Sequence, residues 1–233
     1  MKKAVILAGG LGSRLKPFTQ AIPKPLLPIG EKSMLEIQIE NLAKYGFKEI
    51  FIATNYKAEY IEAFIGDGKK YGVDVTFSNE DIPLGTCGPL SLLRDKLTEP
   101  FLLMNGDILS TIDFGKLYEF GSEKGADFTV VTKEIRTPFN FGSVQVENDF
   151  IVDVQEKPDL VIEIVAGIYY MKPAIFKYIP DNTYFGIDTL IKEMISQNAK
   201  IGRYLMKEYW LDIGRLDDYN EAQEAYKTHF LEK

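Results

Sequence analysis

The chain has 233 residues, 45% of them hydrophobic, with 27 Lys and Arg against 34 Asp and Glu for a formal charge of −7. That length supports a sizeable core, and the acidic balance argues against general nucleic-acid binding, which needs a basic face. A single cysteine, Cys87, and a single histidine, His229, exclude an internal disulfide, a cysteine-based metal cluster, a Ser-His-Asp triad and a His-rich zinc site. The apolar run after Met1-Lys2-Lys3 is too short for a signal peptide, and no stretch approaches the ~18 apolar residues of a membrane span, so no membrane partner and a cytoplasmic location are expected.

Residues 4–8, Ala-Val-Ile-Leu-Ala, predict a strand buried on both faces of a parallel sheet. The strand runs into Leu7-Ala8-Gly9-Gly10-Leu11-Gly12-Ser13-Arg14, followed by Pro23-Lys24-Pro25-Leu26. Glycines let backbone N–H groups approach phosphate oxygens, and Arg14 and Lys24 add full positive charge. A dinucleotide fingerprint would need a third glycine and an uninterrupted helix, but Pro17, Pro23, Pro25 and Pro28 forbid that helix. The P-loop pattern is absent as well. For the glycines alone, a tight turn after a buried strand is the plain alternative.

Ser33-x-x-Glu36 predicts a capping box, with Ile37, Ile39, Leu42 and Ala43 at helical spacing and Gly46 closing the helix. Residues 49–54 read as a strand, 57–65 as a short helix and 73–78 as a strand. Glu80-x-x-Pro83-Leu84-Gly85-Thr86-Cys87-Gly88-Pro89-Leu90 follows, in which Gly85 and Gly88 permit backbone approach to a flat base and Thr86 offers a polar contact. Cys87 reads as a small buried residue, not a nucleophile. Residues 90–97 predict a helix and 100–105 an apolar strand ending in Asn105-Gly106-Asp107, an acid where α/β sheets place their ligands. This alternation predicts an α/β, Rossmann-like fold: a mixed, mostly parallel sheet flanked by helices.

Beyond it, residues 113–124 predict a helix and 126–134 a strand. Strands over 143–147 and 150–156 are joined by an Asn148-Asp149 turn, and another strand covers 164–171. These form a small β subregion facing the substrate. Residues 186–197 and 215–228 predict helices, with Trp210-Leu211-Asp212-Ile213-Gly214 between them. No linker or repeat interrupts the chain, so one domain over 1–233 is expected, with halves at 1–112 and 113–233.

Together these motifs resemble the sugar-1-phosphate nucleotidyltransferases over essentially residues 3–225. The Pro83–Leu90 segment looks closest to the mannose-1-phosphate guanylyltransferases and their bacterial relatives. The resemblance implies nucleotide binding by Leu7, Ala8, Gly9, Gly10, Gly12, Ser13, Arg14, Lys24, Gly85 and Thr86, within the 1–112 half. It implies catalytic roles for Arg14, Lys24 and Asp107, and Mg²⁺ held by Asp107 and Asp212. In the 113–233 half it implies sugar-phosphate binding by Gly142, Glu156 and Lys157, the last two from a Glu-Lys-Pro motif. Val165 stands where many members carry an asparagine that contacts the sugar, which points to a sugar other than plain mannose, such as a heptose or an amino sugar. The implied reaction takes a nucleoside triphosphate, GTP favoured, and a sugar 1-phosphate to a nucleotide sugar and pyrophosphate. A uridylyl- or cytidylyltransferase using another sugar or a small phosphate such as phosphocholine is one alternative. A non-catalytic regulatory homologue is another, and a homo-oligomer stays open.

Overall fold

The computed structural model describes residues 1–231, so the last two residues of the expected domain, 232–233, lie outside the described residues. Strand β1 (Lys2–Leu7) carries Ala4, Val5 and Ile6 at zero exposure, as its unbroken apolar run requires. After the glycine loop come the single turn α1 (Phe18–Ala21) and the small ribbon β2 (Pro28–Ile29) and β3 (Lys32–Ser33). Helix α2 (Met34–Lys44) starts with both halves of the expected capping box: the Glu36 N–H donates to Ser33 Oγ at 3.2 Å, and the Ser33 N–H donates to Glu36 Oε2 at 2.9 Å. Strand β4 (Phe47–Thr54), helix α3 (Ala58–Ile65) and strand β5 (Asp74–Asn79) follow.

The helix expected over 90–97 is instead a six-residue 3-10 segment, Gly88–Leu93. Its entry is pinned, because the Cys87 and Gly88 N–H groups both donate to the Phe185 carbonyl. Leu90, Leu93 and Leu97 are all buried; the first step is three residues and the second four, so the pattern does not separate a 3-10 turn from an α-helix.

Strand β6 (Phe101–Asn105) leads to β7 (Ile108–Ser110), helix α4 (Phe114–Glu123) and strand β8 (Phe128–Pro138). Strands β9 (Ser143–Glu147) and β10 (Phe150–Gln155) form the expected hairpin, and Asn148 and Asp149 both take positive φ, as a tight two-residue turn demands. Strand β11 (Asp159–Met171), helix α5 (Ile187–Ser196), strands β12 (Ile201–Leu205) and β13 (Trp210–Asp212), and helix α6 (Leu216–His229) complete the order.

The central sheet runs β12-β8-β11-β6-β1-β4-β5, and β11 alone is antiparallel to its neighbours. This is the mixed, mostly parallel α/β sheet read from the sequence. Helices α2, α3 and α4 pack on one face through Leu35, Ile39, Ile61, Ile65, Phe114 and Leu117. Helix α5 and the Gly88–Leu93 segment cover the other through Leu190, Met194, Leu90 and Leu93. A third cluster joins Leu15, Ile29, Met34, Ile213 and Tyr226, so α6 clamps the glycine-loop side of the chain to β13. Because strand order reverses between β1 and β6, a crevice opens at their carboxyl ends, the ligand position of open α/β sheets.

Strands β8 and β11 run longer than the sequence suggested. Residues 133–138 and 159–164 pair with one another as a two-stranded ribbon beyond the main sheet. Lys133, Glu134 and Arg136 are polar, so this part of β8 carries no burial signal to read. No helix among the described residues is long and apolar enough to cross a membrane.

One packing contact gives a stability test. Gly121 on α4 lies against the ring of Tyr170, and an added Cβ would sit 2.3 Å from Tyr170 Cγ. Glycine to alanine in a helix interior ordinarily stabilises by about 1 kcal/mol. Here Tyr170 is fully buried and cannot retreat. Gly121→Ala should therefore destabilise by about 1–3 kcal/mol, as overpacking does, and lower the Tm in a thermal melt.

Candidate functional site

The crevice is a cavity of about 410 Å³ at the carboxyl ends of β1, β4, β5 and β6. Leu7, Ala8, Gly9 and Gly10 form one wall and Lys24 another, with Gly85 and Thr86 from the second glycine segment and Asp107 beyond β6. Eight of the residues named from the sequence therefore come together. The Gly106 N–H donates to the Leu7 carbonyl at 2.8 Å, which locks the loop after β6 against the end of β1. A Cβ on Gly106 would lie 2.5 Å from that same carbonyl, so the close approach requires glycine.

The two acids meet through strand pairing. Strand β13 runs antiparallel to β7 with Asp212 opposite Ile108, and the Ile213 N–H donates to the Asp107 carbonyl at 3.0 Å. Lys24 is 8% exposed, and its ammonium donates to Asp107 Oδ2 at 2.5 Å. The surrounding protein and then the Asp107 carboxylate push the pKa of Asp212 up, while Lys24 and Arg14 pull it down. Asp212 stays exposed to solvent at the rim. Arg14 itself is exposed and its guanidinium lies beside Gly214. The result is two carboxylates and two cations in one cluster on the rim of the crevice.

That cluster fits a divalent cation by its donor chemistry. Two carboxylates close enough to raise a pKa repel each other, and an ion between them removes the repulsion. An all-oxygen set of one or two carboxylates completed by phosphate and water is the Mg²⁺ pattern. Asn105 adds a buried side-chain oxygen without a hydrogen-bond partner next to the same loop.

Gly12 takes a left-handed conformation, φ 59, and its carbonyl accepts from Thr19 Oγ1 at 2.8 Å. It turns the chain so that Ser13 and Arg14 start a short 3-10 segment. The remaining sugar-side residues lie elsewhere, on the ribbon that projects from the sheet. Gly142 packs against the Glu156 carboxylate, where a Cβ would be 3.3 Å from Oε2. Lys157 follows at φ 46, and all three are exposed. Val165 is 45% exposed and precedes a bulge at Gly167, φ 70, which the Trp210 indole holds by donating to the Ala166 carbonyl at 2.8 Å.

The second glycine segment does more structural work than expected. A Cβ on Gly88 would lie 2.5 Å from the Thr183 carbonyl, so this glycine admits a neighbouring backbone and not a base. Gly85 lines the cavity at φ 81 and is also tight against the Phe185 carbonyl. Thr86 Oγ1 accepts the Ile187 N–H at 2.9 Å at the start of α5, which leaves its hydroxyl proton as a donor. Cys87 is fully buried, and burial pushes its thiol up to about 12, so it is the inert residue expected.

Four of the cavity's polar side chains have no role assigned from the sequence: Asn55, Glu80, Asn105 and Tyr184. Glu80 and Asn105 lay inside quoted motifs. Asn55 immediately follows β4, a position that could have pointed to it. Tyr184 comes from a distant loop and carries no local signal. Glu80 is half-buried, and burial raises its pKa. Its Oε2 accepts the Leu84 N–H at 2.8 Å, and the Asn55 amide donates to its backbone carbonyl at 2.9 Å. The other oxygen, Oε1, faces Gly9. Glu80 follows β5 and Asp107 follows β6, three strand spacings or roughly 14 Å apart, so the cavity runs from a charged end to an uncompensated carboxylate.

The architecture is a Rossmann-like α/β fold with its crevice at the strand-order reversal. Residues 3–229 match the Nucleotidyl transferase family, and the chain belongs to that family. It is 36% identical to a probable mannose-1-phosphate guanylyltransferase 3 of Oryza sativa subsp. japonica, over 96% of this chain and 64% of the relative. It is 34% identical to mannose-1-phosphate guanylyltransferase catalytic subunit beta of Dictyostelium discoideum, over 99% of this chain and 66% of the relative. The chain thus spans a little under two thirds of the length of these relatives. Among solved structures it is similar to a putative glucose-1-phosphate thymidylyltransferase from Bacillus anthracis, with a TM-score of 0.82, 25% identity and coverage of 100% and 98% of the two chains. It is also similar to HddC from Yersinia pseudotuberculosis, with a TM-score of 0.76, 29% identity and coverage of 97% and 100%; that protein is also solved in complex with GMP-PN.

Proposed function

We propose that the protein transfers a nucleotidyl group from a nucleoside triphosphate, GTP in preference, to a sugar 1-phosphate. The observation that carries this reading is the Lys24–Asp107–Asp212–Arg14 cluster at one end of a cavity walled by the Leu7–Gly10 loop. The names of the guanylyltransferase relatives support the same reaction.

In that reaction a phosphate oxygen of the sugar phosphate attacks the α-phosphorus. A new P–O bond forms, the bond between the α-phosphorus and its bridging oxygen breaks, and pyrophosphate leaves. The nucleophile is already an anion at neutral pH, so no general base is needed, in keeping with a chain whose one histidine stacks on Tyr209. Catalysis then reduces to positioning and charge neutralisation. The N–H groups of the glycine loop and Arg14 would hold the β- and γ-phosphates. Lys24 would face the α-phosphate, and Lys157 would take the sugar phosphate. Mg²⁺, carried by Asp107 and Asp212, would neutralise the two phosphates as they approach. The continuous seven-stranded sheet across both halves supports a single catalytic domain.

Glu80 supports guanine as the base. A carboxylate accepts without donating, and guanine presents two adjacent donors, N1–H and the 2-amino group. Uracil presents one donor flanked by acceptors, which a carboxylate repels. An amide offers both a donor and an acceptor, so Glu80→Gln should lower kcat/KM for GTP about 10- to 100-fold and narrow or reverse the preference over UTP. Pyrophosphate release across GTP, ITP, UTP, CTP and dTTP, with a panel of sugar 1-phosphates, tests the reaction and the base together. If wild-type protein prefers UTP, the guanine reading fails and nucleotidyl transfer survives. No release with any pair would remove both.

A further inference from the structure

We infer, resting on the nucleotidyl transfer proposed above, that Tyr184 stacks on the nucleotide base and favours a purine over a pyrimidine. Glu80 then reads the edge of the base and Tyr184 its face. Tyr184 lines the crevice and yet is 70% exposed. Among the described residues its hydroxyl makes no hydrogen bond, and its ring meets no other aromatic ring and no cation. A single exposed aromatic is ordinary on a protein surface, but the backbone beneath this one is held on both sides. The Phe185 N–H donates to the Leu84 carbonyl at 2.9 Å, and the Phe185 carbonyl accepts from both Cys87 and Gly88. The Asn182 N–H donates to Ser91 Oγ and the Ile187 N–H to Thr86 Oγ1. Residues 182–187 are thus stitched to residues 84–91, which fixes the Tyr184 backbone at the crevice mouth and leaves the ring unpartnered. A ring placed this way has only two χ angles to order when a ligand arrives.

The ring lies at the Glu80 end of the crevice. The Leu84 N–H donates to Glu80 Oε2, and Gly85 is the next residue. A Cβ on Gly85 would sit 3.3 Å from Tyr184 Cε2, so the ring rests against the Gly85 backbone. Glu80 Oε1 faces Gly9, where a Cβ would lie 3.2 Å from it. A flat base that presents its donor edge to Glu80 therefore has the glycine loop on one side and Gly85 with Tyr184 on the other. Tyr184 is the one aromatic residue that lines this crevice among the described residues. Every base offers a π face, but a purine has two fused rings to cover and a pyrimidine one. The carboxylate selects by donors and the ring by area, so the two residues discriminate independently.

The test is equilibrium binding and pyrophosphate release by the full chain with GTP, ITP, UTP and CTP. Tyr184→Ala should weaken GTP and ITP about 10- to 100-fold and UTP and CTP only a few-fold, with kcat for GTP preserved and binding of inorganic triphosphate unchanged. Because the ring is exposed and unpartnered, the variant should melt at the wild-type temperature. Tyr184→Phe should keep the wild-type preference, since the face and not the hydroxyl carries it. Tyr184→Trp adds a direct readout: its fluorescence, above the background of Trp210, should be quenched by GTP and not by inorganic triphosphate. Equal losses for purines and pyrimidines in Tyr184→Ala, or no loss at all, overturn the inference, as does Tyr184→Phe behaving like Tyr184→Ala. Wild-type protein that binds GTP but transfers nothing removes the proposed reaction and leaves the stacking test standing. Wild-type protein that binds no nucleotide removes both.

Discussion

Asp107→Asn and Asp212→Asn should each reduce kcat by on the order of 10²- to 10³-fold, the loss seen when one preorganised charge-stabilising group is removed. The expectation rests on the pairing of β13 with β7, which brings Asp212 beside Asp107. The structure separates catalytic loss from misfolding, because the two substitutions shift stability in opposite directions. Asp212 has its pKa raised partly by Asp107, so removing its charge relieves repulsion, and Asp212→Asn should keep or raise the Tm. Asp107 is the ion-pair partner of buried Lys24, so Asp107→Asn weakens that pair and should lower the Tm. Excess chelator should abolish activity of the wild-type protein, and added Mg²⁺ should restore it. Full turnover in chelator would sink the metal assignment for both residues.

The crevice end of the candidate site is legible in the sequence and the ribbon end much less so, and the reason is physical. Val5 and Ile6 belong to a buried parallel strand with no polar residue to blur its pattern, and the glycine loop must follow it directly. The Ser33–Glu36 capping box is equally local, with both hydrogen bonds made within four residues. Asp212 could be named from its own motif, but its meeting with Asp107 depends on a three-residue strand pairing more than a hundred positions away in sequence, which no local pattern encodes. Gly88 reads like a base-side glycine because a glycine near a pocket and a glycine under a neighbouring backbone look the same in sequence. Tyr184 was missed altogether, since an aromatic in a loop carries no period. The extended ribbon of β8 and β11 escapes because it is largely exposed on both faces, Leu160, Val161 and Ile162 included, so no burial period marks it.

Lys24→Ala should lower kcat by on the order of 10²- to 10³-fold while changing nucleotide affinity only a few-fold. Pro23 and Pro25 hold Lys24 on a short 3-10 turn, and the side chain is nearly buried, so its charge is already in place before substrate arrives. Such a charge stabilises most where negative charge grows, on the α-phosphorus during attack. Its removal has a second cost: Asp107 loses its only ion pair among the described residues and then repels the incoming phosphates. Lys24→Arg should rescue little, because a planar guanidinium cannot occupy the space of a compact ammonium at the same 2.5 Å contact. Single-turnover kinetics alongside equilibrium binding of the triphosphate divides the effect. A loss confined to KM would make Lys24 a ground-state anchor. A loss confined to kcat, with Arg14→Ala reducing both, assigns Lys24 to the reacting phosphorus and Arg14 to the departing pyrophosphate.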